Sequence, residues 1–173
     1  MNGFKRELFS SDIMLYNDNA IIYAVKHPLT FIYNSTAPYD WYTDSELKQD
    51  FTLWSSPKSM YDPCPKGWRV PANGTWSDFA VSTAPYYILG SQVDVGIYNA
   101  TNGRLYYQKA WYPATGYYRG MTGTMNTVGN GGTCWFMCKQ EINSNVFSFS
   151  QAGTNPNNTF GHVAGLSVRC VQE

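Results

Sequence analysis

The chain has 173 residues, enough for one well-buried core and short for two. Twelve basic residues balance twelve acidic ones, and charged residues make up only 14%, which leaves no electrostatic footprint for nucleic acid or an anionic membrane. No apolar stretch of about 18 residues occurs, so no transmembrane helix is encoded. Met1 to Ser11 carries Lys5 and Arg6 with no apolar run behind them and does not read as a signal peptide.

Residues 1 to 19 are polar and mixed, and read as a lead-in segment or a first edge strand. Ala20 to Val25 is a short apolar run of strand length. Pro28 breaks it, and Leu29 to Tyr33 reads as a second strand. Residues 34 to 54 show little periodicity beyond a helical turn near Ser45 to Lys48. The stretch Asp62 to Pro71 is different in kind. Pro63, Pro65 and Pro71 fix φ at three points and withhold three backbone donors, so neither a helix nor a central strand can run through it. Gly67 suits a tight reversal through a positive φ, and Cys64 and Trp68 are expected beneath a surface. This rigid clamp has a natural partner in the alternating Leu166 to Val171, which carries Cys170.

Asn73-Gly74-Thr75 offers caps for a short helix over Trp76 to Ser82, ended by Pro85. Asn102-Gly103 is the best hairpin signal, joining Val95 to Tyr98 with Leu105 to Gln108. Ala110 to Tyr118 is followed by a glycine-rich loop. Thr133 to Cys138 and Val146 to Phe149 read as strands, and an asparagine-rich turn, Thr154 to Thr159, precedes the closing strand. No repeat, linker or boundary divides the chain, so residues 1 to 173 read as a single domain. Aromatic residues at 17%, with fourteen tyrosines, fit a β-rich core with surface hydroxyls and equally a recognition surface.

The four cysteines allow three full pairings. Cys134 and Cys138 would stand roughly 13 Å apart in an extended strand, beyond the about 7 Å a disulfide tolerates. Cys64 with Cys170 fits the clamp and closes a loop of roughly 105 residues for about 4–5 kcal/mol on chain-entropy grounds. The alternative is two separate buried thiols.

The clamp Asp62 to Pro71, with GTWSDFA (Gly74 to Ala80), YPATGYYRG (Tyr112 to Gly120) and GLSVRCV (Gly165 to Val171), resembles the Fibrobacter major paralogous domain family. That module is found in secreted and lipoprotein-anchored proteins of Bacteroides-type bacteria. His27 to Asn34, Asp40 to Thr43 and Thr52 to Pro65 fit the same pattern, so the resemblance covers roughly residues 20 to 173. It implies an α+β, C-type-lectin-like fold, similar also to formylglycine-generating enzymes. Short twisted antiparallel sheets, one or two short helices and long irregular loops are then expected. It also implies an extracellular or cell-surface location, with the signal or anchor outside this chain and membrane association only through that anchor.

No cofactor is expected. Zinc wants a second ligand pair at matching spacing, but the Cys134–Cys138 spacing stands alone, with His27 and His162 far apart. Asn155-Pro156-Asn157 lacks the acidic or glutamine residue of the usual lectin calcium loop. No nucleophile elbow, phosphate loop or dinucleotide fingerprint occurs, and an enzyme is not expected.

The sequence departs from the family at Cys134-Trp135-Phe136-Met137, where members carry tyrosine, tryptophan and two serines. His162 replaces a usual arginine. Trp135 reads as core. Phe136, Met137, Lys139, Glu141, Asn143 and Asn145 read as an exposed, chemically mixed surface that, with Tyr118, Arg119, Met121 and His162, takes a glycan or protein ligand. Large side chains on a rigid scaffold suit recognition because the scaffold bears the ordering cost. In the competing reading Phe136 and Met137 fill a core gap. The expected function is thus a non-catalytic, adhesin-like binding module. One alternative is the variable receptor of a diversity-generating retroelement, which a neighbouring reverse transcriptase gene would mark. The other is a structural spacer, which expects the cluster to be buried. Oligomeric state is left open.

Overall fold

The computed structural model describes residues 8–9, 18–27, 30–34, 37–41, 43, 45–89, 101–136 and 143–173. Within them the chain forms small, mostly antiparallel sheets and a single short α-helix, an α+β arrangement dominated by β structure. Leu8–Phe9 (β1) pairs in parallel with Phe31–Ile32 (β2), inside the expected second strand. The expected strand at Ala20 to Val25 is instead part of helix Asp18–Lys26 (α1). Tyr23 and Ala24 pack against Ile32, Tyr23 stacks on His27 one turn later at 4.1 Å, and Lys26 lies in the last turn, where the helix dipole favours a cation. A run this short does not separate the two periods. The helical turn expected near Ser45 to Lys48 is present as a 3₁₀ turn, Glu46–Lys48.

The clamp closes on the chain's last residues. Trp68–Arg69 (β3) pairs antiparallel with Val171–Gln172 (β12), Arg69 opposite Val171. Cys64 and Cys170 form a disulfide across a Cα separation of 5.7 Å, and Gly67 takes φ +79°. Because the prolines supply no donors, the clamp's backbone polar groups are met from side chains. Lys58 Nζ donates to the carbonyls of Cys64 (2.6 Å), Pro65 (2.9 Å) and Trp68, using the three donors of an ammonium group. The Asp62 carboxylate accepts from Cys64 N at 2.8 Å and Val70 N at 3.0 Å. Cys64 is buried as expected. Trp68 is not: it is 44% exposed, because the reversal that buries the disulfide turns β3 outward.

After the clamp, Trp76 to Ser82 forms successive turns rather than the expected helix. Ser77 N donates to Gly74 O and Phe79 N to Trp76 O, a three-residue spacing that points Trp76 and Phe79 together into the core. Tyr86–Tyr87 (β4), Gly103–Tyr106 (β5) and Ala110–Pro113 (β6) make an antiparallel sheet. Gly103 thus sits inside a strand, and the expected partner Val95 to Tyr98 lies outside the described residues. The hairpin's three-residue connection turns at Tyr107 and Gln108, with φ +46° and +57°, the signs the central residues of a type I′ turn need. The hydroxyls of Tyr106 and Tyr107 both donate to Asp78, at 2.7 and 2.9 Å, holding that turn. Asn102 is buried because its side chain accepts from Leu89 N at 2.8 Å and donates to Gly129 O at 2.9 Å.

Gly131–Trp135 (β9), Asn143–Ser150 (β10) and Thr154–Gly161 (β11) form the longest sheet, in the order β11-β10-β9. The asparagine-rich stretch expected as a turn is therefore strand β11. It lies at the sheet edge, where Pro156 is tolerated, and its burial alternates residue by residue over its first six positions. Side-chain alternation sends Cys134 and Phe136 to one face of β9 and Trp135 to the other. On the first face Phe136 joins Trp76, Phe79, Tyr112, Phe147 and Phe149 in an aromatic core. On the second, Trp135 packs with Val146 and Ala164, flanked by Trp54 and Phe160. The expectation of an exposed Phe136 is corrected: it is 0% exposed, with its ring centroid 5.4 Å from that of Trp76.

Arg104, also buried, binds the carbonyls of Ala84 (2.5 Å), Ser150 (2.8 Å) and Gln151 (3.1 Å), anchoring the β10–β11 turn. Tyr117–Tyr118 (β7) and Met125–Asn126 (β8) form a further hairpin. The C-terminal segment bridges Tyr118 at Gly165 and Cys134 at Ser167 before reaching the clamp.

Two outcomes are expected. Lys58→Met removes three hydrogen bonds to clamp carbonyls, of which Pro65 O keeps Trp68 N as a donor, and lowers unfolding free energy by about 1–3 kcal/mol in urea titration, whereas an unchanged midpoint would make this ammonium dispensable. Phe136→Ala empties part of the aromatic core and costs about 3–5 kcal/mol by the same measurement.

Candidate functional site

Three depressions lie in a row across the face built by the C-terminal third and residues 24–61. The first, about 490 Å³, is a trough on β9, β10 and β11 that ends at Tyr117 and Phe160. The second, about 580 Å³, shares those two aromatic residues and adds Tyr39, Arg119, Met121 and Val163. The third, about 470 Å³, shares Val163 and Ala164 with the second and is lined by Trp41, Phe51, Trp54, Tyr61 and His162. Tyr117 and Phe160 meet edge to face at 5.0 Å and form the wall between the first two.

The middle depression owes its shape to the β7–β8 turn. Gly123 N donates to Arg119 O at 2.8 Å, and Asn34 N donates to Gly120 O at 2.9 Å. Gly120 presses so closely on the next segment that a Cβ there would stand 2.3 Å from Val163 Cγ1. That contact pushes the turn's tip outward and leaves Met121 55% exposed, beside the exposed Arg119.

The aromatic cleft holds the site's carboxylates and its histidine, Asp40, Asp50 and His162. Ser144 Oγ and His162 Nε2 are 2.7 Å apart, His162 Nδ1 stands 4.0 Å from Asp40 Oδ2, and that oxygen accepts from Gln49 Nε2 at 3.0 Å. The carboxylate favours the Nδ1–H tautomer, so Nε2 accepts the Ser144 hydroxyl. The order serine, histidine, aspartate resembles a nucleophilic triad, but Ser144 is fully buried and its hydroxyl is closed to a substrate. The row instead ties β10 to the segment that carries Asp40. Burial pushes the His162 imidazole below its ordinary value, and Asp40 opposes that shift.

Of the residues expected to bind ligand, Arg119 and Met121 come together in the middle depression and His162 lines the neighbouring cleft. Tyr118 is half-buried and stacks on Phe31 at 4.8 Å. Asn145 is half-buried, its carbonyl accepting from Phe136 N at 3.3 Å. Asn143 opens β10 opposite Gly161. Met137, Lys139 and Glu141, with Cys138, lie outside the described residues. The burial of Phe136 is what the spacer alternative expects there, and it removes that ring from the surface. Sequence reasoning did not single out Tyr117, Phe160, Trp41, Trp54 or the trough residues, and the polar run Thr154–Gly161 has no apolar alternation that signals the last of these.

Among the described residues no group of histidine, cysteine, aspartate and glutamate is arranged to hold a metal ion. No described helix is long and apolar enough to cross a membrane. The disulfide is compatible with an extracellular, oxidising location.

Between the ordinary histidine value near pH 6.5 and the lower folded value, the unfolded chain binds more protons than the folded one. Stability is therefore expected to fall as pH is lowered through about 6.5, and His162→Gln to flatten that slope in melting curves. Asp50, held low by the Thr52 hydroxyl, and Asp78, held low by Tyr106, titrate below that window. A slope equal in wild type and variant would remove His162 as its source. No protein family, curated protein or solved structure matches the chain.

Proposed function

We propose that the protein is a non-catalytic, surface-exposed binding module on a C-type-lectin-like scaffold, taking a glycan or protein ligand through its C-terminal third. The observation that carries this reading is the row of three depressions with shared walls. Concave sites that combine aromatic walls with a few polar groups are where ligands bind. The scaffold beneath is rigid: the disulfide, the Lys58 bonds and two aromatic-rich clusters fix it, so binding carries little ordering cost. The chemistry varies along the row, from an uncharged trough through Arg119 to a cleft carrying Asp40, Asp50 and His162. A ligand spanning the row is thus read at several points. The disulfide's preference for an oxidising compartment favours a surface location.

The test is a combined glycan and protein array probed with the folded chain, followed by titration of any hit with Arg119→Ala/Met121→Ser. Both side chains are exposed, so the melting temperature is expected to hold, as surface substitutions usually allow, while affinity drops about tenfold or more. Undiminished affinity would exclude the middle depression from the binding surface.

A further inference from the structure

We infer that the trough on β9, β10 and β11 is a subsite for an uncharged sugar ring, an inference that rests on the binding-module reading above. Its lining contains no lysine, arginine, histidine or carboxylate. The Arg104 guanidinium that reaches Ser150 and Gly153 is buried and spends its donors on their carbonyls, so a charged ligand group would be desolvated here with no side-chain partner of its own, and the site selects against ions. What the lining offers is hydroxyls and amides. Ser148 stands opposite Thr133 in the ladder between β10 and β9, which puts both side chains on one sheet face. Asn158 Nδ2 donates to Ser148 Oγ at 3.0 Å, fixing that hydroxyl and that amide at the trough's centre.

Thr133 supplies the observation that points to a ligand. The residue is 8% exposed, and its Oγ1 is the one buried side-chain polar atom among the described residues without a hydrogen-bond partner. Buried polar groups are almost always paired, because an unpaired one carries its full desolvation cost. Other buried polar side chains are satisfied, as Asn102 and Ser144 show. Oγ1 exposes less than 1 Å² of its own surface, so bulk water does not satisfy it, and the trough that Thr133 lines is the side from which a seated ligand meets it.

Tyr117 and Phe160 complete the fit at the trough's end. A pyranose ring has one face of C–H bonds and a rim of hydroxyls, and aromatic faces carry the partial negative charge that C–H groups seek. The volume of about 490 Å³ falls in the range of small-molecule sites, about 300–1,000 Å³, and accommodates a sugar ring with its neighbours in a chain. With no carboxylate in the lining, recognition runs through direct hydrogen bonds rather than a bridging divalent cation.

The whole chain is tested on an array of neutral gluco-, manno- and galacto-oligosaccharides beside sulfated glycans, sialylated glycans and a peptide library, with and without EDTA. Hits are titrated by calorimetry with Thr133→Val, Thr133→Ser and Arg119→Ala. Expected are neutral-glycan hits indifferent to EDTA, a tenfold or greater loss with Thr133→Val, and retention with Thr133→Ser, which keeps the hydroxyl. Thr133→Val should melt at or above the wild-type temperature, since it deletes an unpaired polar atom. Hits confined to charged glycans or peptides, or neutral binding that Thr133→Val leaves within twofold, would overturn the sugar subsite. If such a ligand still loses affinity with Arg119→Ala, the binding-module reading survives alone. An array blank in every class overturns both.

Discussion

The last third of this chain is held by its two ends: the aromatic core under β9 and β10, and the covalent tie at the clamp. The tie matters because the residues between Gly165 and Cys170 have little regular structure of their own. Their backbone makes single bridges to Tyr118 and Cys134, with Leu166 and Val168 packed against the Trp135 cluster, and such scattered contacts hold a free end only weakly against its conformational entropy. The disulfide to Cys64 and the short β3–β12 pairing fix that end. Lys58 and Asp62 in turn satisfy a backbone that the prolines leave unable to satisfy itself. With the C-terminal segment fixed, Val163 and Ala164 stand where they divide two depressions.

A second constraint is that β9 and β10 are covered on both faces at their Trp135–Val146 end and on only one at their Thr133–Ser148 end. Aromatic rings fill one face along the sheet. On the other, Trp135, Val146 and Ala164 are buried, but the strands continue past that cluster to Thr133 and Ser148. The fold therefore leaves polar residues in a partly enclosed space, walled by Tyr117 and Phe160. Site and second cluster are two ends of one face: the side-chain period puts Thr133, Trp135, Val146 and Ser148 on it, and position along the strands decides which of them are covered.

How much of this the sequence disclosed follows from the range of each signal. The clamp was legible because proline, glycine and cysteine act locally, and the Cys64–Cys170 pairing followed from it. Trp68 escaped because which side of a reversal faces water is a tertiary matter. Helix α1 and the turns at Trp76 to Ser82 were misread where short apolar runs and capping residues suit two conformations. Asn102-Gly103 carries a strong turn signal, yet Asn102 is buried and bonded across the fold, which overrides it. Phe136 was read from its departure from a family pattern, when its place two residues from Cys134 on a strand already put both on one face. The asparagines of β11 hid the trough, because a polar stretch reads as a turn until its edge-strand pairing is known.

Cys134 carries a consequence for the life of the protein outside a reducing compartment. Its thiol is enclosed beside the aromatic core, and burial pushes it up to about 12, so almost none of it is thiolate at neutral pH. Exchange with the Cys64–Cys170 bond needs that anion as attacker. The folded chain thus sequesters a reactive group it retains, and scrambling of its crosslink at Cys134 is confined to molecules that have already lost their packing.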